Sequence, residues 1–368
     1  MRPLIVDLGR DYRGGQHQAL LLLHGLLQRG HAPELIAVRD SLLASRAKEI
    51  GEPVHVADPG RRRLTAAWQI HKLARDRRLD LVHANEPHAL SAAWLARAYR
   101  VVPIVVSRRI ALPLSRGLFS LSRYRATARI VAISHFVERS VIQSGLPPDR
   151  ISVIYDGVQI PPEISQAQRD SARNQLEIPR DILCIGNVAA FVPEKGHALL
   201  LDAFAKLRAQ FPKCVLLLRG DGPESANLQS LAQELHVADA VKFLSPSIDL
   251  ETTFAAMNIF AFPSHEEPLG SALLAAMARA LPVAAIARGG IPEIIEDGKN
   301  GLLVRDLNPG AFSSAITRLV ANPDEAILLG KAARKSVIER FSADRMVEET
   351  LSLYEHLVPA GSGLNSRG

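Results

Sequence analysis

Cysteine is nearly absent. Cys184 and Cys214 are the only two among 368 residues, and each lies inside an apolar run. That usage fits buried, reduced thiols and gives no disulfide framework. His83, His88 and His135 lack metal-ligand spacing, so no zinc site is expected, and no motif supports a cofactor-bearing lysine. Aromatic residues make up only 5% of the chain and form no basic–aromatic repeat. Nucleic acid is therefore not an expected partner. No apolar run is long enough to span a bilayer. The opening stretch Met1 to Leu8 is too short for a secretory leader and has no cleavage-like end, so a cytoplasmic location is expected. Two glycine signatures are also incomplete. Gly14-Gly15 lacks the third glycine and the later acid of a dinucleotide fingerprint, and no Gly-Lys-Ser/Thr follows it as in a P-loop.

What the chain does have is apolar mass and unevenly placed charge. Hydrophobic residues reach 47%, and a chain of 368 residues exceeds the usual size of one core, which predicts two domains. The net charge is +6. Residues 1–150 carry 24 Lys/Arg against 12 Asp/Glu, whereas residues 151–368 carry 20 against 26. A basic first half suits a phosphorylated substrate or an anionic surface, including peripheral contact with the inner face of the plasma membrane.

Short apolar strands alternate with helical patterns throughout. Leu4 to Leu8, Leu35 to Val38, Leu81 to His83, Ile104 to Ser107, Ile130 to Ile133 and Ile151 to Ile154 read as buried strands. Gly9 to Gly15 reads as a loop before a helix from Gln18 to Leu27, and another helix is expected from Leu64 to Arg75. Pro161-Pro162 and the polar stretch Ser165 to Asn174 read as the interdomain connection. A second strand series begins at Ile182 and runs through Val215 to Leu218, Val241 to Leu244, Ile259 to Phe262, Val283 to Ile286 and Leu302 to Val304. This plan predicts an α/β protein with two Rossmann-like parallel sheets: residues 1–162, then residues 163–345. Residues 346–358 form a terminal helix, and 359–368 a disordered tail.

Chemistry is expected in the loops after the strands. Gly14-Gly15 would let a phosphate or sugar approach the backbone, or it is a plain tight turn. His83 could hydrogen-bond a sugar hydroxyl, or pack. Arg108-Arg109 could clamp phosphate, or lie on the surface. Arg116, Arg123, Arg125 and Arg129, with Leu118, Phe119 and Leu121 among them, fit either a membrane-contacting helix or a solvated face. Lys195 can neutralise a pyrophosphate, and Gly220-Asp221-Gly222 could wall a nucleotide base. The organising stretch runs from Ile259 to Ser271. A strand turns through Pro263, Ser264, Glu266 and Glu267, then enters a helix at Gly270-Ser271, whose free N–H groups suit an anion. Glu267 is the stronger carboxylate candidate for a sugar hydroxyl, with Glu266 its alternative.

Taken together these loops resemble the family-4 glycosyltransferases, which are retaining, nucleotide-sugar-dependent and of GT-B architecture. The resemblance covers Gly14-Gly15, His83, Lys195-Gly196, Glu267 and Gly289-Gly290-Ile291-Pro292-Glu293. Ser107-Arg108-Arg109, Tyr124-Arg125 and Ile133-Ser134 resemble a bacterial subgroup tied to cell-surface glycans, lipopolysaccharide among them. It implies two domains facing a central cleft, with the terminal helix crossing back to the first. It implies His83, Lys195 and Glu267 as catalytic-site residues and a donor base near Gly220, Asp221, Ser247 and Ile248. Gly14, Gly15, Arg108, Arg109, Gly270 and Ser271 complete the donor contacts. A glycan or lipid-linked acceptor and no essential metal also follow. Ala275 stands where the family carries the second acid of Glu-x7-Glu, and Ala189-Ala190 where it commonly carries Gly-Arg. Those departures leave two alternatives, a non-catalytic GT-B protein that binds glycan or a partner, and a nucleotide-sugar epimerase.

Overall fold

The computed structural model describes residues 1–358 apart from Glu52, Arg77 and 115–117. Arg116, the side chains of Leu118 and Phe119, and the expected tail 359–368 lie outside the described residues. The chain forms two compact units, one of residues 1–157 together with the chain from Ala343, the other Val158–Ser342. The first division thus falls before Pro161-Pro162, and the return to the first unit falls at the start of the terminal helix.

The first unit holds seven parallel strands: β1 (Pro3–Val6), β2 (Glu34–Val38), β3 (Val54–Ala57), β4 (Leu81–Ala84), β5 (Ile104–Arg108), β6 (Arg129–Ala132) and β7 (Ile151–Val153). Their order is β3-β2-β1-β4-β5-β6-β7. The second holds β8 (Leu183–Val188), β9 (Cys214–Arg219), β10 (Val241–Leu244), β11 (Ile259–Phe262), β12 (Val283–Ile286) and β13 (Leu302–Val304), ordered β10-β9-β8-β11-β12-β13. Helices cover both faces, so central strands such as β1, β4 and β11 are buried throughout; β1 and β11 read as unbroken apolar runs, and only His83 interrupts that of β4. In each sheet the order reverses once, between β1 and β4 and between β8 and β11. Loops beyond the carboxyl ends of those pairs splay apart, which is where open α/β sheets take ligands.

The terminal helix Ala343–Leu357 packs on the helix Gly14–Gln28. Met346, Val347 and Tyr354 join Leu22, Leu26 and Leu35 in one core. Gly25 permits that contact, since a Cβ there would lie 2.5 Å from Val347 Cγ2. The polar stretch Ser165 to Asn174 is not a linker. It forms the helix Gln166–Gln175 inside the second unit, opened by a capping box in which Ser165 and Gln168 exchange hydrogen bonds. Its Arg173 is buried and donates to the carbonyls of Ala256, Pro179, Arg180 and Ile182. A polar sequence there serves as a clamp, which composition alone does not distinguish from a loop.

Candidate active site

At the β1/β4 reversal, the Gly14–Gln28 helix begins at Gly14, so Gly14-Gly15 form its first turn and not a preceding loop. Gln16 starts it by accepting from Arg13 N at 3.1 Å and donating Nε2 to both oxygens of the fully buried Asp7. Asn85, just beyond β4, completes the floor. Its Nδ2 donates to Asp7 Oδ2 at 2.6 Å and to the carbonyl of Gly15 at 2.8 Å. Arg109 Nη1 donates to Asn85 Oδ1 at 2.8 Å, and its Nε to Asp156 Oδ1 at 3.0 Å. The Asp156 side chain is 13% exposed, and its partial burial raises its pKa against the pull of Arg109. The cluster Asp7, Gln16, Asn85 and Asp156 was not singled out in the sequence. The signal available was position: Asp7, Asn85 and Asp156 follow strand ends, and Gln16 lies in the first turn of the helix after β1.

This geometry corrects two expectations. Arg109 is already committed to Asp156 and Asn85, and the buried Arg108 donates to the Leu112 carbonyl. Neither presents a free fork for bidentate phosphate recognition. His83 does not end its strand, because Ala84 follows within β4. Its ring is 3% exposed, with Nδ1 paired to the Tyr354 hydroxyl and Nε2 2.7 Å from Ser107 Oγ. Both nitrogens are occupied by the protein, so none is left for a sugar hydroxyl. Side chains two apart share a strand face, and Asn85, also buried, is the next member of that row toward the carboxyl edge.

Burial also sets the titration here. It lowers the His83 pKa from 6.5 to about 3, with the Arg109 charge adding to the effect. Glu86 caps the helix Pro87–Leu95 by accepting from His88 N and Ala89 N. Burial, helped by the charge of Asp7, raises its pKa from 4.5 to about 7. Between pH 4.5 and 6.5 the unfolded chain binds a proton at His83 and the fold binds one at Glu86, so their effects on stability cancel. From 4.5 down to about 3 only His83 remains, and stability falls with pH. The His83→Gln variant should lose that acid-sensitive limb, worth about 2 kcal/mol across the window. Trp68 and Trp94, the two tryptophans of the chain, both lie in this unit, so urea midpoints read by tryptophan fluorescence at a series of pH values measure it.

At the β8/β11 reversal, Lys195 Nζ lies 2.6 Å from Glu267 Oε2, and Glu267 is 8% exposed. Two loops far apart in sequence are thus joined by their charged groups. Lys195 closes the short turn Pro193–Lys195, and Gly196 then opens the helix His197–Gln210. His265 N donates to Glu194 O at 3.0 Å, holding the two loops side by side. The loop after β12 supports Glu267 from behind: Gly290 N donates to Glu267 O at 2.8 Å, and Gly289 packs against the same peptide. Gly270 caps the short helix Ser271–Met277, and Ser271 is exposed at its start. The loop after β9 lies against the one after β8, where a Cβ on Gly220 would sit 1.9 Å from Ala189 O. Asp221 is exposed and accepts from Gly222 N, while Arg219 ties β9 to the carbonyls of Pro246 and Ile248 beside Ser247. Asn187 Oδ1 and Ser264 Oγ are buried at this edge without a hydrogen-bond partner among the described residues.

The structure therefore gathers Lys195, Glu267, Gly270 and Ser271 at one strand edge, with Gly220, Asp221, Ser247 and Ile248 along the same edge. It gathers Gly14, Gly15 and Arg109 at the edge of the other sheet, and leaves His83 and Arg108 in the interior. Among the described residues no group of three His, Cys, Asp or Glu could hold a metal ion.

Comparison with known proteins points the same way. Residues 12–160 match the family described as Glycosyltransferase Family 4, and residues 168–336 that described as Glycosyl transferases group 1. A D-inositol 3-phosphate glycosyltransferase of Saccharomonospora viridis is 28% identical over 310 residues, 77% of this chain and 72% of that protein. The lipopolysaccharide core biosynthesis glycosyltransferase LpsE of Rhizobium meliloti is 32% identical over about half of each chain (49% and 52%). Anabaena HepE, solved with UDP-glucose, superposes with a TM-score of 0.82 over 97% of this chain and all of its own, at 22% identity.

Proposed function

Because this chain is a GT-B glycosyltransferase related to the group 1 and family 4 enzymes, transferring sugar from a nucleotide-diphosphate donor, we propose that it is a retaining transferase of cell-surface polysaccharide synthesis. Its acceptor is a glycan or a lipid-linked saccharide, and lipopolysaccharide is the pathway class favoured by the likeness to LpsE. It works in the cytoplasm. The observation that carries the reading is the Lys195–Glu267 pair at a topological switch point.

In the structure each member of the pair satisfies the other. A donor diphosphate offers Lys195 a stronger anion, which frees the Glu267 carboxylate to accept from a hydroxyl of the transferred sugar. As the anomeric carbon–phosphate oxygen bond breaks, negative charge grows on the diphosphate beside Lys195 and the N–H groups at Gly270-Ser271. The acceptor oxygen bonds the anomeric carbon on the same face, and its proton passes to the departing phosphate oxygen. The base lies along Gly220, Asp221, Ser247 and Ile248. The first unit presents the acceptor side at Gly14-Gly15. His83 positions Asn85 through the strand they share and does not touch substrate. No step calls on a metal.

Ala275 and Ala190 favour one other reading, a GT-B protein that binds without turnover. Incubating the chain with a panel of nucleotide sugars and glycan or lipid-linked acceptors separates the readings by released nucleoside diphosphate. Acceptor-dependent release that survives EDTA is expected. Donor binding without release would establish the non-catalytic reading. Conversion of a nucleotide sugar with no acceptor present would establish an epimerase.

A further inference from the structure

The surplus of positive charge is concentrated in one stretch. From Gly60 to Phe136 the chain has fifteen Lys/Arg and three Asp/Glu. In the first unit this stretch supplies three neighbouring helices on one face of the sheet: Arg62–Arg75, Pro87–Leu95 and Leu118–Arg125. The opposite face is covered by the helix Gly14–Gln28 and the terminal helix. The three acids do little to offset the charge. Glu86 is the half-buried cap described above, and Asp80 accepts from Arg2 N at 2.6 Å, leaving Asp76 at a helix end. Among the described residues none of Arg61, Arg63, Lys72, Arg75, Arg100 and Arg125 has a carboxylate within ion-pair distance.

The same face exposes large apolar side chains. Leu64 and Trp68 are one helical turn apart, 63% and 65% exposed. Lys72, one turn further, stands 5.7 Å over the Trp68 ring. Leu95, Tyr99 and Val101 are also exposed. They adjoin the first helix, whose His71 ring lies 3.4 Å from the Ala96 carbonyl. Beyond them a groove lies at the amino ends of β5, β6 and β7. It is lined by Arg100, Arg125 and Arg150, with Tyr99 and Val101 at one side. Arg150 is held in place by the carbonyls of Arg125 and Thr127. Cations ringing tryptophan, leucine and tyrosine match an interfacial surface, with aromatic rings at headgroup depth and guanidinium groups on lipid phosphates.

We infer that this helix face docks on an anionic lipid bilayer, with Leu64 and Trp68 entering the interface and the arginine groove taking lipid phosphates. The surface is not the one expected from sequence around Arg116 to Arg129. There Tyr124 is buried and Arg123 donates to Ser91, so only part of that helix is free. The inference rests on exposure and charge and does not depend on the transferase reading. It places the membrane against the helix face and the amino ends of β5 to β7, at the opposite edge of the sheet from the loops that carry Gly14-Gly15.

The test is co-sedimentation of the full chain with phosphatidylcholine vesicles, with and without phosphatidylglycerol. A Trp94→Phe background makes fluorescence report Trp68 alone. Binding only to the phosphatidylglycerol vesicles, weakened by salt and accompanied by a blue shift of Trp68, is expected. Replacing Arg100, Arg125 and Arg150 by glutamine should lower partitioning on the order of a hundredfold, and Trp68→Ser should weaken it while leaving the urea midpoint unchanged. Failure to bind anionic vesicles overturns the inference, as does binding that ignores both sets of substitutions. Equal binding to neutral vesicles, or tighter binding to duplex DNA than to vesicles, overturns it too.

Discussion

Replacing Lys195 by alanine is expected to lower kcat/KM for the nucleotide-sugar donor by a factor on the order of 100–1,000. Most of that loss should fall in kcat, because the charge opposed by the lysine is greatest as the diphosphate leaves. The substitution has a second consequence that must be separated from the first. Glu267 is nearly buried and loses its ion-pair partner. An unpaired carboxylate in that setting costs about 1–3 kcal/mol of stability. Adding Glu267→Gln to Lys195→Ala removes the stranded charge, so the double variant should recover much of the urea midpoint and none of the turnover. A Lys195→Ala protein that turns over at the parent rate takes the lysine out of the chemistry. A double variant that regains both stability and activity shows the pair to be a structural tie alone.

The pairing of Lys195 with Glu267 was already latent in the sequence, unlike other features of the site. Lys195 and Glu267 each follow an apolar run and precede a helix, and a parallel sheet puts every such position on one edge. Proximity therefore followed from topology, and the structure closes it to 2.6 Å. The same rule placed Gly14-Gly15. His83 was misjudged by its place in the strand. The apolar run Leu81-Val82 marks the strand, but nothing in it shows where the strand ends, and the chain continues through the buried Ala84 and Asn85 before it reaches the edge. Tyr354, the partner that closes the ring off, is 271 residues away, beyond any local signal. Arg108 and Arg109 failed for another reason. Charge in sequence does not reveal a neutralising partner, and Asp156 reaches Arg109 only because β5 and β7 sit in one sheet. Short polar elements escaped as well. The helices Leu42–Glu49, Ser225–Glu234 and Leu250–Ala256 have too few apolar positions to display a clear period.

The glycines of the two edges give the sharpest contrast in expected behaviour. A Cβ on Gly289 would stand 2.0 Å from the carbonyl oxygen of Glu267 and 2.9 Å from its carbon, and the residue has φ +61°. The obstacle is backbone, which cannot rotate aside, so Gly289→Ala must push the β11 and β12 loops apart. We expect a loss of about 2–4 kcal/mol in the second unit from overpacking and left-handed strain together. The hydrogen bond from Gly290 N to Glu267 O breaks with it, and displacing the carboxylate by even 1 Å should cost on the order of a hundredfold in turnover. At Gly15 the same substitution meets nothing harsher than Arg109 Cδ at 3.7 Å, within an ordinary helical turn. Gly15→Ala should leave the first unit as stable as before, or steadier by about 0.5–1 kcal/mol. A rise in KM on that background then measures the space a ligand needs above Gly15, because the fold itself makes no demand for glycine there. Calorimetry of both variants beside their donor and acceptor KM values decides the matter. Unchanged kinetics in Gly15→Ala would remove Gly14-Gly15 from the binding surface, and a Gly289→Ala protein of parental stability would mean that the loop behind Glu267 yields to the added methyl group.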